Sequence, residues 1–319
     1  MTTVRHLLTG TELSRDDLLH VLRRAHELKA HDVARGTTPP SHPRSLAGRS
    51  VGLIFQKPST RTRISMEVGV HELGAHPLLL RPDEMQLSRG ESVKDTARIL
   101  SRHVHAVGIR TNEDALLEEL AAEGTIPVVN LLTDGHHPCQ VLADLLTLQE
   151  AFPHRLSDDG GLDDLHLAYV GDGNNVARSL ALVGSIAGLR VSVVAPDGYQ
   201  LAAGETPAEL SKDPRAGVAG ADCLYADVWV SMGDTDSDER RVALADYGVT
   251  DELLDAAGPG AIALHCLPAH PGEEISAEVL YGDRQRIWDQ AENRRHAQKA
   301  LLEWVLRAGP FADAPGTVE

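Results

Sequence analysis

Cysteine is scarce in this sequence, whose 319 residues contain only Cys139, Cys223 and Cys266. The number is odd and no pair has C-x-x-C spacing, so the sequence predicts neither a disulfide framework nor a zinc ribbon. No apolar stretch reaches transmembrane length, and charged residues among the first twenty exclude the apolar core of a signal peptide. We therefore expect a cytoplasmic enzyme or binding protein.

Positive charge is also in short supply. Lysine and arginine number 30 against 47 aspartates and glutamates, which gives a formal net charge of −17. This balance argues against nucleic acid or a membrane surface as partner. The sixteen histidines raise the question of a metal. However, His71 and His76 lack zincin spacing, and His103 and His105 fit polar positions near a strand start, so we predict no metal site.

Strand-like apolar runs alternate with helix-like segments along the whole chain. The predicted strands are 51–55, 77–80, 104–110, 127–132, 165–170, 190–195, 223–230 and 261–267, and the predicted helices are 60–74, 91–102, 113–123, 141–151, 175–187, 250–257 and 291–306. This alternation is typical of parallel sheets covered by helices on both faces. We expect an α/β fold with two parallel-sheet domains.

The domain boundary is expected near residue 150, where a helical stretch gives way to a polar, glycine-rich segment. The predicted domains are residues 1–150 and 151–319, and the last helix, about 291–306, is free to pack back on the first domain. Residues 197–215 and 231–240 are polar and irregular, which predicts loops over a site.

One strand-to-helix transition concentrates positive charge in this acidic chain. Lys57 and the segment S-T-R-T-R, residues 59–63, follow the apolar run 51–55 and open the next helix. Ser59 or Thr60 is suited to the N-cap position, and the unpaired N–H groups of a helix N-terminus bind phosphate well. Two hydroxyls and two arginines at such a terminus predict a phosphate cradle. The alternative is a capped helix with solvated arginines.

Other polar residues follow predicted strands at their carboxyl ends, where open α/β sheets bind ligands. Arg110 ends one strand, and H-H-P-C-Q, residues 136–140, follows the next. In the second half, Asp227 begins the segment D-V-W-V-S-M-G, and H-C-L-P ends the last strand as residues 265–268. Neighbours on a strand point to opposite faces, so this histidine is badly placed to activate its cysteine. We interpret the cysteine as a proton-relay or positioning group.

The segment G-D-G-N-N, residues 171–175, follows a predicted strand and invites a dinucleotide-binding interpretation. Val176 replaces the third glycine of that fingerprint, and Asp197 comes only after Pro196 at the end of the next strand. A nicotinamide-dependent oxidoreductase therefore stays open as an alternative with weak support.

The motifs S-T-R-T-R, H-P-C-Q, G-D-G-N-N, D-x-W-x-S-M-G, H-C-L-P and E-N-R occur in this order over about residues 45–305. Together they resemble the aspartate/ornithine carbamoyltransferase family. The S-M-G loop and H-C-L-P resemble the ornithine branch, because the aspartate branch typically has H-P-L-P. The resemblance implies carbamoyl transfer from carbamoyl phosphate to the δ-amine of ornithine, giving citrulline and phosphate. It also implies that residues 1–150 form a carbamoyl phosphate-binding domain and residues 151–319 an ornithine-binding domain, with the active site in the cleft between them. It implies no metal and no organic cofactor, and a homotrimer or an assembly of trimers.

The resemblance also implies a role for each matching residue. The implied carbamoyl phosphate ligands are Ser59, Thr60, Arg61, Thr62, Gln86, Arg110, His137, Gln140, Cys266, Leu267 and Arg294, with Gln86 offered to a neighbouring subunit. The implied ornithine ligands are Asn175, Asp227, Ser231 and Met232. The implied catalytic residues are Arg61, Arg110, His137, Asp227 and Cys266. A relative acting on lysine, putrescine or a modified ornithine, and a silent binding or regulatory subunit, are the alternatives within this family.

Overall fold

The computed structural model describes residues 4–34, 44–230 and 236–307. Its helices and strands follow in the order α1 (Arg15–Ala34), β1 (Ser50–Phe55), α2 (Arg61–Glu72), β2 (His76–Leu80), α3 (Val93–His103), β3 (Ala106–Arg110), α4 (Asp114–Glu123), β4 (Val128–Leu132), α5 (Pro138–Ala151), β5 (His166–Val170), α6 (Asn175–Ile186), β6 (Arg190–Val194), β7 (Glu209–Ser211), α7 (Pro214–Val218), β8 (Cys223–Ala226), α8 (Ser237–Leu244), α9 (Asp251–Ala257), β9 (Ile262–His265), α10 (Ala277–Tyr281) and α11 (Ile287–Leu306). Short 3₁₀ turns lie at Gln86–Arg89 and Pro153–Arg155.

The chain folds into two compact units. The first comprises the described residues up to Leu142 and those from Glu292 onwards, and the second comprises Ala143–Ala291. The division thus falls inside α5 and α11, whereas the boundary expected near residue 150 falls at the end of α5. The carboxyl-terminal part of α11 contributes to the first unit, where the Nζ of the buried Lys299 lies 2.8 Å from the Oε2 of Glu72.

The first unit contains a four-stranded sheet in the order β2-β1-β3-β4, with every strand pairing parallel. Four of the six residues of β1 are buried, as a strand covered on both faces requires. The next strand in sequence, β2, lies on one side of β1, and the strand after it, β3, lies on the other side. The carboxyl ends of β1 and β3 therefore flank a switch point, the position at which open α/β sheets bind ligands.

The second unit contains a five-stranded parallel sheet in the order β7-β6-β5-β8-β9. Its switch point lies between β5 and β8, because the connections from β5 run first to β6 and later to β8. Buried side chains from β5, β8 and β9 pack with helices in one apolar cluster that includes Val170, Ala226 and Leu254. The prediction of two parallel-sheet α/β domains is confirmed.

Several elements differ from the sequence-based prediction. The helix α1 is absent from that prediction, although its buried Leu18, Leu22 and Leu28 have helical spacing. The strand β8 ends at Ala226 rather than at residue 230, because the chain turns away after its buried, paired part. The expected loop 197–215 contains the edge strand β7 and opens α7, and α8 begins at Ser237 inside the expected loop 231–240. Among the described residues, no helix combines the length and the apolarity needed to cross a membrane.

Three partly or fully buried histidines make the fold sensitive to acid. The Nδ1 atoms of His6 and His105 accept hydrogen bonds from the N–H groups of Val128 and Ser50, at 3.2 and 3.1 Å. Burial lowers the pKa of both histidines and of His166 from the usual 6.5, and the positive charges of Arg49 and Arg190 add to the effect at His105 and His166. The folded chain therefore favours the neutral form of these imidazoles.

We expect the melting temperature to fall as the pH is lowered from about 7 to about 5. A histidine with a depressed pKa contributes its full stability above 6.5 and loses it as the pH falls toward its folded pKa, because the unfolded chain then binds more protons. Differential scanning fluorimetry across this range measures the effect. The variant His105→Gln should flatten the curve, whereas His154→Gln, at an exposed histidine, should leave its slope unchanged. Parallel curves for the His105 variant and the parent protein would contradict this explanation.

Candidate functional site

The helix α2 begins at the switch point of the first unit without a side-chain cap. Thr60 occupies the N-cap position with φ −84° and ψ −60°, and its side chain accepts no hydrogen bond from the first turn. An α-helix leaves its first four N–H groups without an intrahelical acceptor. Those of α2 therefore point to a ligand or solvent, and an anion is the ligand that a helix N-terminus favours.

The two arginines of S-T-R-T-R have different surroundings. Arg61 is partly buried, and no ion pair or hydrogen bond joins its guanidinium to another residue that the structure describes. Arg63 is 52% exposed, and its Nε lies 2.7 Å from the Oε1 of Glu67 one turn further along the helix. The expectation that both arginines serve the phosphate cradle is therefore wrong for Arg63, whose ion pair holds it on the outer face.

Ser59, Thr62 and two further arginines lie around the same helix end. Arg110 ends β3 beside β1, and its Nη1 donates a hydrogen bond to the Oγ of Ser59 at 3.3 Å. The Nη2 of the buried Arg294 donates to the Oγ1 of Thr62 at 2.6 Å. These contacts bring residues from three separate parts of the sequence to the N-terminus of α2. The cluster is strongly cationic, which suits a phosphate group.

His137 and Gln140 occupy the start of α5 after β4. Both side chains are buried, and the Gln140 N–H donates to the His137 carbonyl at 3.0 Å. Burial lowers the pKa of His137 well below 6.5, and the positive charges of Arg294 and Arg110 lower it further. The imidazole is thus neutral at physiological pH and keeps one N–H to donate. Cys139 between them is buried with its pKa raised to about 12, which excludes it as a nucleophile.

Gln86 opens the 3₁₀ turn between β2 and α3, and its side chain is exposed. The structure does not join it to the cluster at α2 through any hydrogen bond between described residues. An exposed polar side chain at this place is available to a neighbouring molecule.

In the second unit, Asp227 and Cys266 meet at the carboxyl ends of β8 and β9. The Cys266 thiol donates to the Oδ1 of Asp227 at 2.8 Å, and the Val228 N–H donates to the same oxygen at 2.8 Å. The other oxygen, Oδ2, accepts from the Nδ2 of Asn174 at 2.7 Å. Asp227 is buried to 7% exposure, whereas Cys266 is partly exposed. This carboxylate and thiol form a pair suited to accepting a proton from an amine.

Asn174 also caps α6, which removes the anion site that a dinucleotide would need. Its Oδ1 accepts hydrogen bonds from the N–H groups of Val176 and Ala177, at 2.9 and 3.3 Å. Gly173 is required by close packing, because an added Cβ would lie 2.7 Å from the carbonyl oxygen of Tyr199. Gly173 thus serves chain packing, and the helix N-terminus that would hold a pyrophosphate is already capped by Asn174.

The remaining predicted ornithine ligands are placed only in part. Asn175 is the first residue of α6 and is partly buried next to Asn174. Ser231 and Met232 lie outside the described residues. Leu267 follows Cys266 with a φ of +59°, in the left-handed region that residues other than glycine seldom adopt.

Sequence reasoning missed the residues that hold these side chains. The Nδ1 of His265 accepts from the Leu267 N–H at 2.8 Å, and its Nε2 lies 3.0 Å from the Oε1 of Glu274. His265 therefore fixes the backbone turn that presents Cys266, which its place beside that cysteine could have suggested. Arg240 pairs with Asp172 at 2.7 Å, so it ties α8 to the loop after β5.

Comparisons with known proteins agree with this arrangement. Residues 5–150 match the family model "Aspartate/ornithine carbamoyltransferase, carbamoyl-P binding domain", and residues 163–305 match "Aspartate/ornithine carbamoyltransferase, Asp/Orn binding domain". The chain is 47% identical to an ornithine carbamoyltransferase of Parafrankia sp. over 95% of this chain and 96% of the relative.

Solved structures give the same match. The ornithine carbamoyltransferase of Thermus thermophilus is 38% identical with a TM-score of 0.84, over 94% of this chain and 98% of its own. The enzyme of Pyrococcus furiosus is 39% identical with a TM-score of 0.85, over 95% of this chain and 97% of its own.

Proposed function

The chain belongs to the aspartate/ornithine carbamoyltransferase family, and on that premise we propose that it transfers the carbamoyl group of carbamoyl phosphate to the δ-amine of L-ornithine. The products are L-citrulline and phosphate. The observation that carries the donor half of this proposal is the uncapped N-terminus of α2 beside the guanidinium of Arg61. The names of the relatives support ornithine as the acceptor.

Carbamoyl phosphate is held by the first unit. Its phosphate accepts hydrogen bonds from the first-turn N–H groups of α2, from the hydroxyls of Ser59 and Thr60, and from Arg61. Because the leaving phosphate gains negative charge as the C–O bond breaks, Arg61 stabilises the transition state more than the bound substrate. Gln140 receives the carbamoyl amide, since its side chain offers both a donor and an acceptor.

The carbonyl group is polarised by three donors of the same unit. As the amine attacks, charge develops on the carbonyl oxygen, and Arg110, neutral His137 and the Thr62 hydroxyl are suited to receive it. Arg294 donates to the Thr62 oxygen, so the hydroxyl proton of Thr62 is left to face the ligand. No covalent intermediate with the protein is required, because the amine itself is the nucleophile.

Ornithine is held by the second unit, through Asn175, Ser231, Met232 and Asp227. An alkylamine has a pKa of about 10.4, so only about one molecule in a thousand is neutral near pH ~7.4. Asp227 and the Cys266 thiol orient the amine and carry away its proton. Leu267 follows Cys266, and its N–H is held by the Nδ1 of His265.

The acceptor is the sharpest point to test. We expect phosphate release from carbamoyl phosphate to be fastest with ornithine and at least about tenfold slower with lysine, because one extra methylene in a fitted pocket costs about 10- to 200-fold. Aspartate and putrescine should be poorer still, since each lacks groups that ornithine offers to the pocket. A continuous phosphate assay with the four amines measures this. Equal or faster turnover with another amine would contradict ornithine while leaving carbamoyl transfer intact.

The assembly and the cellular setting are finer points of the same proposal. We propose a homotrimer, or an assembly of trimers, in which Gln86 serves a neighbouring subunit's site. Exposed apolar side chains of the first unit, such as Ile64 and Ile99, support an interface there. We also propose a cytoplasmic role in arginine biosynthesis, consistent with three free cysteines. Light scattering and cell fractionation test these two points.

A further inference from the structure

A buried carboxylate oxygen near the Cys266 loop lacks a hydrogen-bond donor among the described residues. Glu274 has 0% of its surface exposed, and its Oε2 is the atom without a donor. The other oxygen, Oε1, accepts from the Nε2 of His265 at 3.0 Å and from the His270 N–H at 2.5 Å. Buried polar atoms of native proteins nearly always have a partner, so this oxygen requires an explanation.

The distance from the Glu274 Oε2 to the Nδ1 of His270 suits two ligands of one metal ion. The Nδ1 of His270 lies 3.7 Å from the Glu274 Oε2, too far for a hydrogen bond. Two coordinate bonds of about 2.1 Å that meet at roughly 120° span this distance. The ligand atoms of His270, Glu273 and Glu274 all lie within 4.8 Å of one another. Since His270 and Glu273 are accessible, small side-chain rotations can close the set around an ion entering from solvent.

The charge of the cluster also favours a cation. Glu274 has no lysine or arginine as ion-pair partner among the described residues, and the Nδ1 of His265 accepts a hydrogen bond from the Leu267 N–H, so His265 does not carry both protons. Glu273 does have a competitor, because the Arg241 Nε lies 3.1 Å from its Oε1. Its second oxygen remains for an ion. One imidazole and two carboxylates suit zinc or a similar transition-metal ion better than magnesium or calcium, which prefer oxygen ligands alone.

We propose that His270, Glu273 and Glu274 form a site for a divalent transition-metal ion, separate from the residues that act on the substrates. Glu274 is the link to function, because the same carboxylate holds His265, and His265 holds the Leu267 N–H. The ion compensates the buried charge and anchors the turn that presents Cys266. Carbamoyl transfer itself does not need this ion, so the site is regulatory or stabilising.

Titration of the whole protein with Co²⁺ tests the site directly. We expect one ion per chain, with visible d–d bands but without the near-ultraviolet band of a cobalt–thiolate bond, because no cysteine belongs to the set. His270→Ala should weaken binding at least about tenfold, since it removes one of three ligands. The matched variant His154→Ala, at an exposed histidine of the same unit, should bind as the parent does.

The variant Cys266→Ser distinguishes cobalt binding at this site from cobalt binding at the partly exposed Cys266 thiol. The proposal is supported if Cys266→Ser binds cobalt as the parent does and His270→Ala loses binding. It is also supported if cobalt raises the melting temperature of the parent protein but not that of His270→Ala. A thiolate band that disappears in Cys266→Ser, equal affinity in His270→Ala, or no binding at all would overturn it. None of these measurements depends on turnover, so their failure is distinct from failure of the proposed carbamoyl transfer.

Discussion

Replacing Arg61 with alanine is expected to lower kcat by about 10²- to 10³-fold, in line with the loss of a preorganised charge at a transition state. The guanidinium lies at the uncapped N-terminus of α2 and has no protein partner among the described residues, so its charge is available to the leaving phosphate. The loss should fall mainly on kcat, because phosphate charge grows as the bond to carbon breaks. Steady-state phosphate release at saturating ornithine measures it.

Arg63→Ala is the matched control for this experiment. It removes the same side chain two residues further on, but from the exposed face where Arg63 pairs with Glu67. Exposed ion pairs of this kind are worth little, so activity should stay within about twofold and stability within about 0.5 kcal/mol of the parent. Equal losses in the two variants would contradict the assignment of the phosphate site to Arg61.

Asp227→Asn is expected to lower kcat by about 10²- to 10⁴-fold, the usual contribution of a positioned acid–base group. Donors approach both carboxylate oxygens: Val228 N–H and the Cys266 thiol at Oδ1, and the Asn174 amide at Oδ2. An asparagine places its own NH₂ group against one of these donors, so the hydrogen bonds fail although the shape is kept. Proton removal from the ornithine amine is lost with the charge.

Two measurements make this prediction decisive. Circular dichroism and the melting temperature show whether the variant is folded, and binding of carbamoyl phosphate should be retained because all its implied ligands other than Cys266 and Leu267 belong to the first unit. Asp246→Asn, at an exposed aspartate of the second unit, should keep full activity. Near-parental kcat in Asp227→Asn would remove this residue from the proton transfer.

The fold was accessible from the sequence where the apolar pattern is continuous. Every predicted strand overlaps an observed one. Central strands such as β1 and β5 were the easiest to predict, because parallel strands buried on both faces need uninterrupted apolar runs. The apolar pattern misses one edge strand. The edge strand β7 has an exposed Glu209 and lies in a polar segment, so its pairing depends on β6 rather than on its own composition.

The site was predictable as a set of residue types and only partly as an arrangement. The sequence places both Thr60 and Asn174 at the start of a predicted helix. Only the structure distinguishes them, because the Asn174 side chain caps α6 whereas that of Thr60 leaves α2 open. Sequence reasoning also treated Arg61 and Arg63 as equivalent, although two residues of separation on a helix turn their side chains to different faces.

By itself, the sequence determined the α/β class, the two parallel sheets and the family, because these depend on local periodicity and on motifs that are contiguous in the chain. The tertiary structure alone decided which polar groups are used. Asp227 meets Cys266, Thr62 meets Arg294 and Glu274 meets His265 only once strands and helices far apart in sequence have packed. Hydrogen bonds form over about 3 Å, and contacts at that range follow from packing and not from residue order.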